Sequence, residues 1–327
     1  MARAGRVVRI SGVASSMIPV MLSSGNLLAD RRADHAESYL PDCADVALDL
    51  YAQALELAPD WAAGWYRLGE IALEVDRDRA REGFETALRL DPSDRLGAGL
   101  QLDLLRDRSL SDGMAPAFVE ALFDQYAAGF DAALVDRLDY RAPELLAEGL
   151  RGPYLRALDL GCGTGLMGAL LRPRCDVLEG WDISAEMLRE AEGKALYDRL
   201  EKRDLGALEL CAPEWDLITA ADVFAYLGAL ERIVGWVASA LKPGGTFAFT
   251  VEAHAGRQAY VLRESRRYAH ARGPLEALLD GAGFDARIEC RVLRKDRGAE
   301  IAGYCVTAVR RRDALAETRP MAVPVTA

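Results

Sequence analysis

Residues 158–165 read LDLGCGTG, and this stretch decides the fold predicted for the chain. Residues 154–160, which include the first three residues of this stretch, are mostly apolar, as in a buried strand. Three glycines then occupy every second position from Gly161 to Gly165, and 166–171 resume an apolar run that suits a helix. Glycine lets a ligand approach the backbone closely, because it has no Cβ. The stretch therefore predicts a strand, a ligand-binding turn and a helix N-terminus that favours carboxylate or phosphate groups.

Residues 163–168 also satisfy G-x-G-x-x-G, the pattern of dinucleotide-binding proteins, so this stretch alone leaves two cofactors open. Residues 158–165 resemble motif I of the class I S-adenosylmethionine (SAM)-dependent methyltransferases, and the resemblance covers about 115–310. Residues 182–188 match the D-I-S-x-x-M-L text of that family, and 241–245 read LKPGG, as the family does before its fifth strand. These two stretches, in the right order and spacing, favour SAM as the cofactor.

The resemblance implies a cofactor site at the carboxyl ends of the first strands. Asp182 ends the second predicted strand, where an acid can accept hydrogen bonds from ribose hydroxyls. Ile183 and Met187 would enclose the adenine ring, and Asp204 would accept a hydrogen bond from its amine. The implied cofactor-binding residues are Asp159, Gly161, Cys162, Gly163, Gly165, Asp182, Ile183, Met187, Asp204, Leu205 and Asp222.

The fold class that follows is α/β, with a seven-stranded Rossmann-like methyltransferase sheet that is mostly parallel and has an antiparallel last strand. Strands are predicted at 154–160, 177–181, 200–202, 215–220, 246–251, 286–294 and 301–310. The last two segments read as a hairpin, which distinguishes methyltransferases from plain dinucleotide-binding folds. An all-α domain precedes this sheet.

The N-terminal third contains an internal repeat. Residues 47–59 and 80–92 share a pattern at an offset of 33 residues, in which Tyr51 corresponds to Phe84. A period of this size indicates a helical solenoid, and the text resembles tetratricopeptide (TPR) repeats. Helices are predicted at 24–38, 43–57, 61–74, 78–89 and 94–106. The whole chain thus resembles a bacterial group with TPR repeats before a class I methyltransferase domain.

Four segments are expected along the chain. A disordered leader covers 1–16, a TPR domain 17–108, a methyltransferase domain 109–311 and a disordered tail 312–327. Met17 is an alternative first residue of the protein. The oligomeric state stays open, because two repeats expose an apolar end that needs another surface to cover it.

Composition narrows the class of partner. The chain has 327 residues and a net charge of −11, which argues against a nucleic-acid partner. An apolar run long enough to cross a membrane is missing from the sequence, so no membrane partner is expected. The six cysteines form no C-x-x-C pair, which argues against a metal site and suits a reducing cytoplasm.

Aromatic residues on the acceptor side are predicted from two segments. Phe123, Tyr126 and Phe130 recur at helical spacing where the family places a lid, although ordinary amphipathic packing explains them equally well. Phe224 and Tyr226 follow the fourth strand at the family's motif IV position. They are predicted to contact the substrate or SAM, with core packing as the alternative.

Two histidines are predicted as catalytic residues. His254 follows the fifth strand, and His270 ends the short stretch that begins at Arg267 and Tyr268. An imidazole could deprotonate an acceptor, and Arg267 could pair with its carboxylate or phosphate group. Tyr268 would orient the acceptor. The alternative is that Arg267 is solvated and His270 is a helix residue with satisfied hydrogen bonds.

Three functions stay open from the sequence. The first is methyl transfer from SAM to an oxygen or nitrogen of a small acceptor molecule, and an acidic acceptor is one of the alternatives. The second is a protein methyltransferase whose TPR domain docks a partner protein. The third is a non-catalytic SAM-binding assembly factor. The intact SAM-binding motifs favour an enzyme.

Overall fold

The computed structural model describes residues 23–40, 42–106, 112–131, 139–296 and 298–312. Two compact units divide them. The helical unit consists of the described residues up to 106 together with 117–125, and the sheet unit consists of 112–116 and the described residues from 126 onwards. The predicted leader at 1–16 lies outside the described residues, as does the predicted tail except for Arg312.

The boundary between the units differs from the one expected, because residues 117–125 group with the helical unit. The ring of Phe118 packs against the backbone of Gly97, where a Cβ would come within 2.8 Å of it. This contact ties the segment after the linker back to the preceding helices. The polar stretch 106–115 is predicted from the sequence to be the linker, and its residues 107–111 lie outside the described residues.

The helices of the helical unit match the predicted ones closely. Their bounds are α1 (Leu27–Glu37), α2 (Ala44–Leu57), α3 (Ala62–Ala72), α4 (Arg77–Leu90), α5 (Ala98–Leu105) and α6 (Pro116–Tyr126). The largest difference is at α5, which begins at Ala98 instead of 94. The carboxylate of Asp94 accepts hydrogen bonds from the N–H groups of Ala98 and Gly99 and so caps the helix from outside.

The sequence repeat corresponds to a repeat in burial. Tyr51 in α2 and Phe84 in α4 are both fully buried, and each helix carries buried alanines at matching positions. Successive helices contact one another along the chain. The small residue Gly69 in α3 allows Phe84 to approach, because a Cβ there would lie 2.9 Å from its ring.

The sheet unit contains one mixed sheet. Its strands are β1 (Tyr154–Leu160), β2 (Cys175–Asp182), β3 (Arg199–Lys202), β4 (Trp215–Ala220), β5 (Leu241–His254), β6 (Tyr260–Leu262), β7 (Tyr268–Ala271), β8 (Phe284–Asp296) and β9 (Ala299–Arg310). The order is β3-β2-β1-β4-β5-β7-β6, with β9 antiparallel to β5 and β8 antiparallel to β9. The pairs from β3 through to β5 are parallel.

Two strands were not predicted, so the described sheet has nine strands instead of seven. The antiparallel β9 pairs with β5 over residues 246–252, and the last residues of β5 extend beyond it. β7 pairs in parallel with residues 252–254 and β6 pairs with β7. An unpaired edge would leave backbone groups without partners, and these short strands cover it.

The sheet is buried on both faces by helices α7 (Ala142–Gly149), α8 (Leu166–Leu171), α9 (Ala185–Gly193), α10 (Glu231–Ala240) and α11 (Arg272–Gly281). Alternate strand residues enter different clusters, as the pleat requires. Leu158 and Phe247 belong to the cluster that includes α10 and α11, whereas Ala157 and Ala248 belong to the one that includes α7 and α8. Within the described ranges, the chain forms no helix with the length and apolar character of a membrane span.

Candidate active site

The loop between β1 and α8, here called the glycine loop (161–165), has a backbone that suits only glycine. Gly161, Gly163 and Gly165 have φ of +60°, +53° and +93°, in the region where a Cβ causes strain. At Gly161 a Cβ would also lie 2.5 Å from a methyl group of Val223. Cys162 is buried, and its N–H donates to a carbonyl of β2 at 3.0 Å. The loop therefore presents bare backbone at the carboxyl end of β1.

The carboxylate of Asp182 lies beside this loop. Its Oδ2 accepts a hydrogen bond from the backbone N–H of Gly163 at 2.8 Å, and its Oδ1 accepts one from the N–H of Ser184 at 2.8 Å. A carboxylate oxygen can accept more than one hydrogen bond. The arrangement is compatible with the predicted role of Asp182 as an acceptor for ligand hydroxyls.

Asp159 lies beneath the loop and is 1% exposed. Its two oxygens accept hydrogen bonds from the hydroxyls of Thr219 and Tyr197, each at 2.8 Å. Burial and, to a smaller extent, the negative charge of Asp182 raise the pKa of Asp159 to about 7, although the hydrogen bonds from Tyr197 and Thr219 lower it. Asp159 thus supports the loop from beneath, and its direct contact with a cofactor stays a prediction.

The residues predicted around the adenine ring follow β2 and β3. Ile183 and Leu205 are half-buried, and the carboxylate of Asp204 accepts a hydrogen bond from the backbone N–H two residues later. Met187 is fully buried, and its contact with adenine stays a prediction. It shares the inner face of α9 with Ala191, four residues later, and helical phase directs both toward the interior.

Residues of the predicted lid that lie just before 132 contact the glycine loop. The carboxylate of Asp131 accepts hydrogen bonds from the hydroxyl of Thr164 and the ammonium of Lys194, each at 2.5 Å. The ring of Phe130 lies 3.8 Å from the position that a Cβ on Gly163 would take. This part of the predicted lid therefore contacts the loop directly.

The predicted lid residues do not all belong to one unit. Tyr126 belongs to the sheet unit and is half-buried, whereas Phe123 belongs to the helical unit. The continuation of the predicted lid at 132–138 lies outside the described residues. A substrate contact by Phe123 or Tyr126 stays a prediction.

A group of charged side chains, here called the arginine cluster (Asp222, Glu252, Arg263, Arg267 and Arg294), lies near the carboxyl end of β5. Glu252 is 1% exposed and bonds three guanidiniums. The N···O distances are 2.9 Å to Arg263 and 2.9 Å to Arg267. Asp222 pairs with Arg267 at 2.5 Å and with Arg294 at 3.4 Å. Three guanidiniums face two carboxylates, so the cluster has a net positive charge.

This cluster changes the interpretation of Asp222, which was predicted to bind the cofactor. Its two carboxylate oxygens face Arg267 and Arg294. Its backbone is left-handed, with a φ of +61°, and its N–H donates to the hydroxyl of Thr250 at 2.9 Å. The structure therefore assigns Asp222 to the arginine cluster, because strands distant in sequence bring two cations to it.

The two aromatic residues after β4 have different surroundings. Phe224 is fully buried, with its ring centroid 5.3 Å from that of Phe249, as the alternative of core packing describes. Tyr226 is half-buried, and Arg267 donates to its hydroxyl at 3.0 Å. The same guanidinium lies 5.1 Å from the ring centroid of Tyr226. Tyr226 therefore stays a candidate for the acceptor side.

Tyr268 and His270 were predicted at the mouth of the site, and the structure buries both in β7. Tyr268 is fully buried against the ring of Tyr260. His270 is 3% exposed, and its Nε2 lies 3.0 Å from the carbonyl oxygen of Gly228, which makes Nε2 the donor. Burial lowers the pKa of His270 to about 4. β7 lies between β5 and β6, which accounts for the burial of both side chains, and their contact with an acceptor stays a prediction.

His254 uses both ring nitrogens within its own loop. Its Nδ1 accepts from the N–H of Gly256 at 2.9 Å, and its Nε2 donates to the carbonyl of Gln258 at 2.7 Å. The predicted base is therefore engaged in holding the turn after β5. Among the described residues, no three His, Cys, Asp or Glu side chains converge as ligands of a metal ion.

Sequence reasoning missed three contributors to the site. Glu252 and Arg294 join the arginine cluster from β5 and β8, and no local motif marks either residue. Tyr197 contacts Asp159. The sequence feature that could have pointed to it is the third glycine of G-x-G-x-x-G, which leaves room for a large side chain. A Cβ at that residue, Gly168, would lie 2.2 Å from the hydroxyl oxygen of Tyr197.

A cavity of about 510 Å³ is lined by residues of β2, β3 and β4 and of the segment that joins β3 to β4. That segment contains no α-helix. Its charges largely pair with one another. Arg156 pairs with Glu179 at 2.6 Å and Glu214 at 3.0 Å, and Arg203 pairs with Glu201 at 2.6 Å. We assign no ligand to this cavity, because these pairs satisfy its charges from within.

Comparison with known proteins gives a consistent set of relatives. The sequence profile of a family described as "Methyltransferase domain" matches residues 158–247. A malonyl-(acyl-carrier protein) O-methyltransferase of Enterobacter lignolyticus is 29% identical over 135 residues, which cover 39% of this chain and 54% of that protein. The protein of the same name from Methylococcus capsulatus is 31% identical over 198 residues, with 54% and 70% covered.

A third relative, the trans-aconitate 2-methyltransferase of Deinococcus radiodurans, is 34% identical over 135 residues, which cover 40% of this chain and 49% of that protein. The chain thus spans about half the length of the first and third of these relatives.

Proposed function

This chain belongs to the SAM-dependent methyltransferases, and we propose that it transfers the methyl group of SAM to an oxygen or nitrogen of a small acidic molecule. SAM supplies a methyl group that its sulfonium has already activated. The protein then has to hold the acceptor in line and exclude water. The groups available for these tasks are the glycine loop, Asp182 and the arginine cluster.

The cofactor side rests on the glycine loop and its neighbours. The backbone at Gly163 is open, since a Cβ there would have only Phe130 within 4 Å, at 3.8 Å. The carboxylate of Asp182 is already oriented by two backbone N–H groups. We expect Asp182 to receive the ribose hydroxyls, and Ile183 and Asp204 to bind the adenine.

The acceptor side rests on the arginine cluster, which carries this proposal. Its net positive charge favours an anionic ligand, and guanidiniums bind carboxylates through charge-assisted hydrogen bonds. The side chain of Arg267 is 18% exposed and that of Arg263 is 34% exposed, so solvent reaches both. The names of the relatives point the same way, since malonyl and aconitate groups are acidic.

The state of the histidines supports a carboxylate oxygen as the methyl acceptor. A carboxylate is ionised at neutral pH and needs no general base before it attacks the methyl group. An alcohol or an ammonium would need one. His270 is buried and neutral, and His254 has both nitrogens engaged.

The test is methyl transfer from SAM carrying a labelled methyl group. We expect label in small carboxylic acids, released as methanol in base because a methyl ester forms. Label that stays with protein after denaturation would favour a protein methyltransferase. SAM binding without transfer to any acceptor would favour a non-catalytic assembly factor.

We also propose that α1 to α4 form two TPR repeats with α5 as a cap, and that this domain can dock a partner protein. The matched burial of Tyr51 and Phe84, 33 residues apart, supports this assignment. A pull-down with the full chain, compared with a variant of exposed residues on α1 such as Leu28→Asp, would test the docking. Loss of captured proteins in the variant is the expected result.

The cytoplasm is the proposed location. All six cysteines have free thiols, as a reducing compartment maintains them. Fractionation of cells with an antibody against the chain would test this location.

A further inference from the structure

The side chain of Tyr197 fills a slot beneath the glycine loop. Tyr197 lies between α9 and β3, and its ring passes three glycines that leave room for it. A Cβ at Gly168 would lie 2.2 Å from its hydroxyl oxygen, one at Gly180 would lie 2.9 Å from its ring, and one at Gly165 would lie 3.2 Å from its ring. The glycines of the loop, α8 and β2 are therefore matched to this one side chain.

The hydroxyl of Tyr197 donates to Oδ2 of Asp159 at 2.8 Å, while the hydroxyl of Thr219 donates to Oδ1 at 2.8 Å. Burial raises the pKa of the Tyr197 phenol well above its usual value, so the phenol stays protonated and remains a donor. Two neutral donors thus hold a carboxylate that is 1% exposed. Donors to the charged form of a carboxyl favour its ionisation.

Several titratable groups surround this carboxylate. Asp182 from β2 is the charged neighbour, and its repulsion opposes ionisation of Asp159. Cys162 in the loop and Tyr140 before α7 also interact with Asp159, and burial keeps both neutral by raising their pKa values. Two negatively charged carboxylates beside the glycine loop favour a cation there. SAM is such a ligand, because it has a sulfonium and an ammonium group.

We propose that Tyr197 is a positioning residue of the cofactor site. Its hydroxyl favours the ionised form of Asp159 and orients it toward a cationic ligand, and its ring fixes the glycine loop. The inference rests on the proposed function, because the ligand is SAM. It adds that SAM binding is linked to proton release from Asp159. The free protein holds that proton below about pH 7, since burial raises the pKa of Asp159 to about 7. SAM affinity should therefore rise as the pH rises through this value.

The test is calorimetric titration of the full chain with SAM between pH 6 and 9, for wild type, Tyr197→Phe and Tyr154→Phe. Tyr197→Phe keeps the ring in its slot and removes one donor to Asp159. We expect SAM to bind about 10- to 100-fold more weakly at pH 7, with the midpoint of the pH profile shifted upward. Tyr154 lies at the opposite end of β1, where its hydroxyl accepts from the N–H of Arg151, so Tyr154→Phe should match wild type.

Thr219→Val removes the other donor without a change of shape and should shift the midpoint in the same direction. This variant also decides the question if Tyr197→Phe does not fold. Wild-type affinity and an unchanged pH profile in the folded variants would overturn the inference while leaving the proposed function intact. Failure of the wild-type chain to bind SAM at any pH would overturn the proposed function, and this inference with it.

Discussion

Asp182 Oδ2 and the backbone N–H of Gly163 form a 2.8 Å hydrogen bond that joins the end of β2 to the glycine loop. The two residues are 19 positions apart in the chain. The bond orients a carboxylate toward the same loop whose backbone is open to a ligand. The cofactor site is therefore preorganised, which lowers the entropic cost of binding.

Replacement of Asp182 by Ala should weaken SAM binding by about 1–3 kcal/mol, because the ribose hydroxyls lose a charged acceptor. Calorimetry with SAM and with its demethylated product measures the effect. Asp176→Ala, at the exposed start of β2, is the matched control and should bind like wild type. Preserved affinity in Asp182→Ala, or NAD binding in place of SAM, would contradict the cofactor assignment.

Replacement of Glu252 by Ala should lower the free energy of unfolding by about 3–5 kcal/mol, because it leaves three guanidiniums without their shared buried carboxylate. Chemical denaturation measures the change. Glu276→Ala removes a partner of Arg272 in an exposed pair on α11 and should cost no more than about 0.5 kcal/mol. Equal effects of the two substitutions would show that the arginine cluster contributes little to stability.

Replacement of Arg267 by Lys should raise the KM for the acceptor about tenfold and leave the Kd for SAM nearly unchanged. A lysine keeps the positive charge, but it cannot bond Glu252, Asp222 and Tyr226 together as the planar guanidinium does. Steady-state kinetics with the identified acceptor measures the KM, and calorimetry measures the Kd for SAM. A loss of SAM affinity in this variant would move Arg267 to the cofactor side.

Replacement of Gly168 by Ala should destabilise the fold by about 1–3 kcal/mol, because the new Cβ would lie 2.2 Å from the hydroxyl of Tyr197. Gly235→Ala is the control, since that glycine lies within α10 and has open space around it. It should stabilise the protein by about 0.5–1 kcal/mol through helix propensity. Thermal unfolding of both variants distinguishes crowding at Tyr197 from a general effect of glycine replacement.

His270 alone should lower the free energy of unfolding by up to about 3 kcal/mol as the pH falls from 6.5 to about 4. Unfolded histidine binds a proton below pH 6.5, whereas burial lowers the pKa of folded His270 to about 4. The unfolded state therefore takes up more protons in this window and gains stability as the pH falls.

Asp159 acts in the opposite direction. Its pKa is about 7 in the fold, so its contribution weakens the folded state as the pH rises from about 4 to 7. The difference between wild type and His270→Asn isolates the histidine. That variant should show a flatter acid limb, and the exposed His35→Asn should not. Identical acid limbs in all three proteins would mean that His270 titrates normally.

Much of the fold was predictable because its signals are local. The apolar run of β1 and the glycines of the loop involve residues close in sequence, and their backbone preferences operate at short range. The hairpin of β8 and β9 was predicted as well. The 33-residue offset likewise identified equivalent buried positions such as Tyr51 and Phe84.

The surroundings of the substrate-side residues were not predictable where they depend on pairing between distant segments. The stretch that contains Tyr268 and His270 has no strong helix or strand pattern of its own, and it forms β7 because β5 extends past β9. That pairing buries both residues. Glu252 and Arg294 are 42 residues apart, so only the arrangement of the sheet brings them into one cluster.

The sequence by itself determined that this chain has an α/β domain with a glycine loop and a carboxylate at the end of the next strand, since these features depend on local backbone preferences and short spacings. Only the tertiary structure decided which side chains support that site. Tyr197 meets Asp159 across 38 residues, and Arg267 meets Asp222 across 45. Burial and ion pairing depend on which strands lie side by side, because a side chain loses or keeps its water according to its neighbours in space.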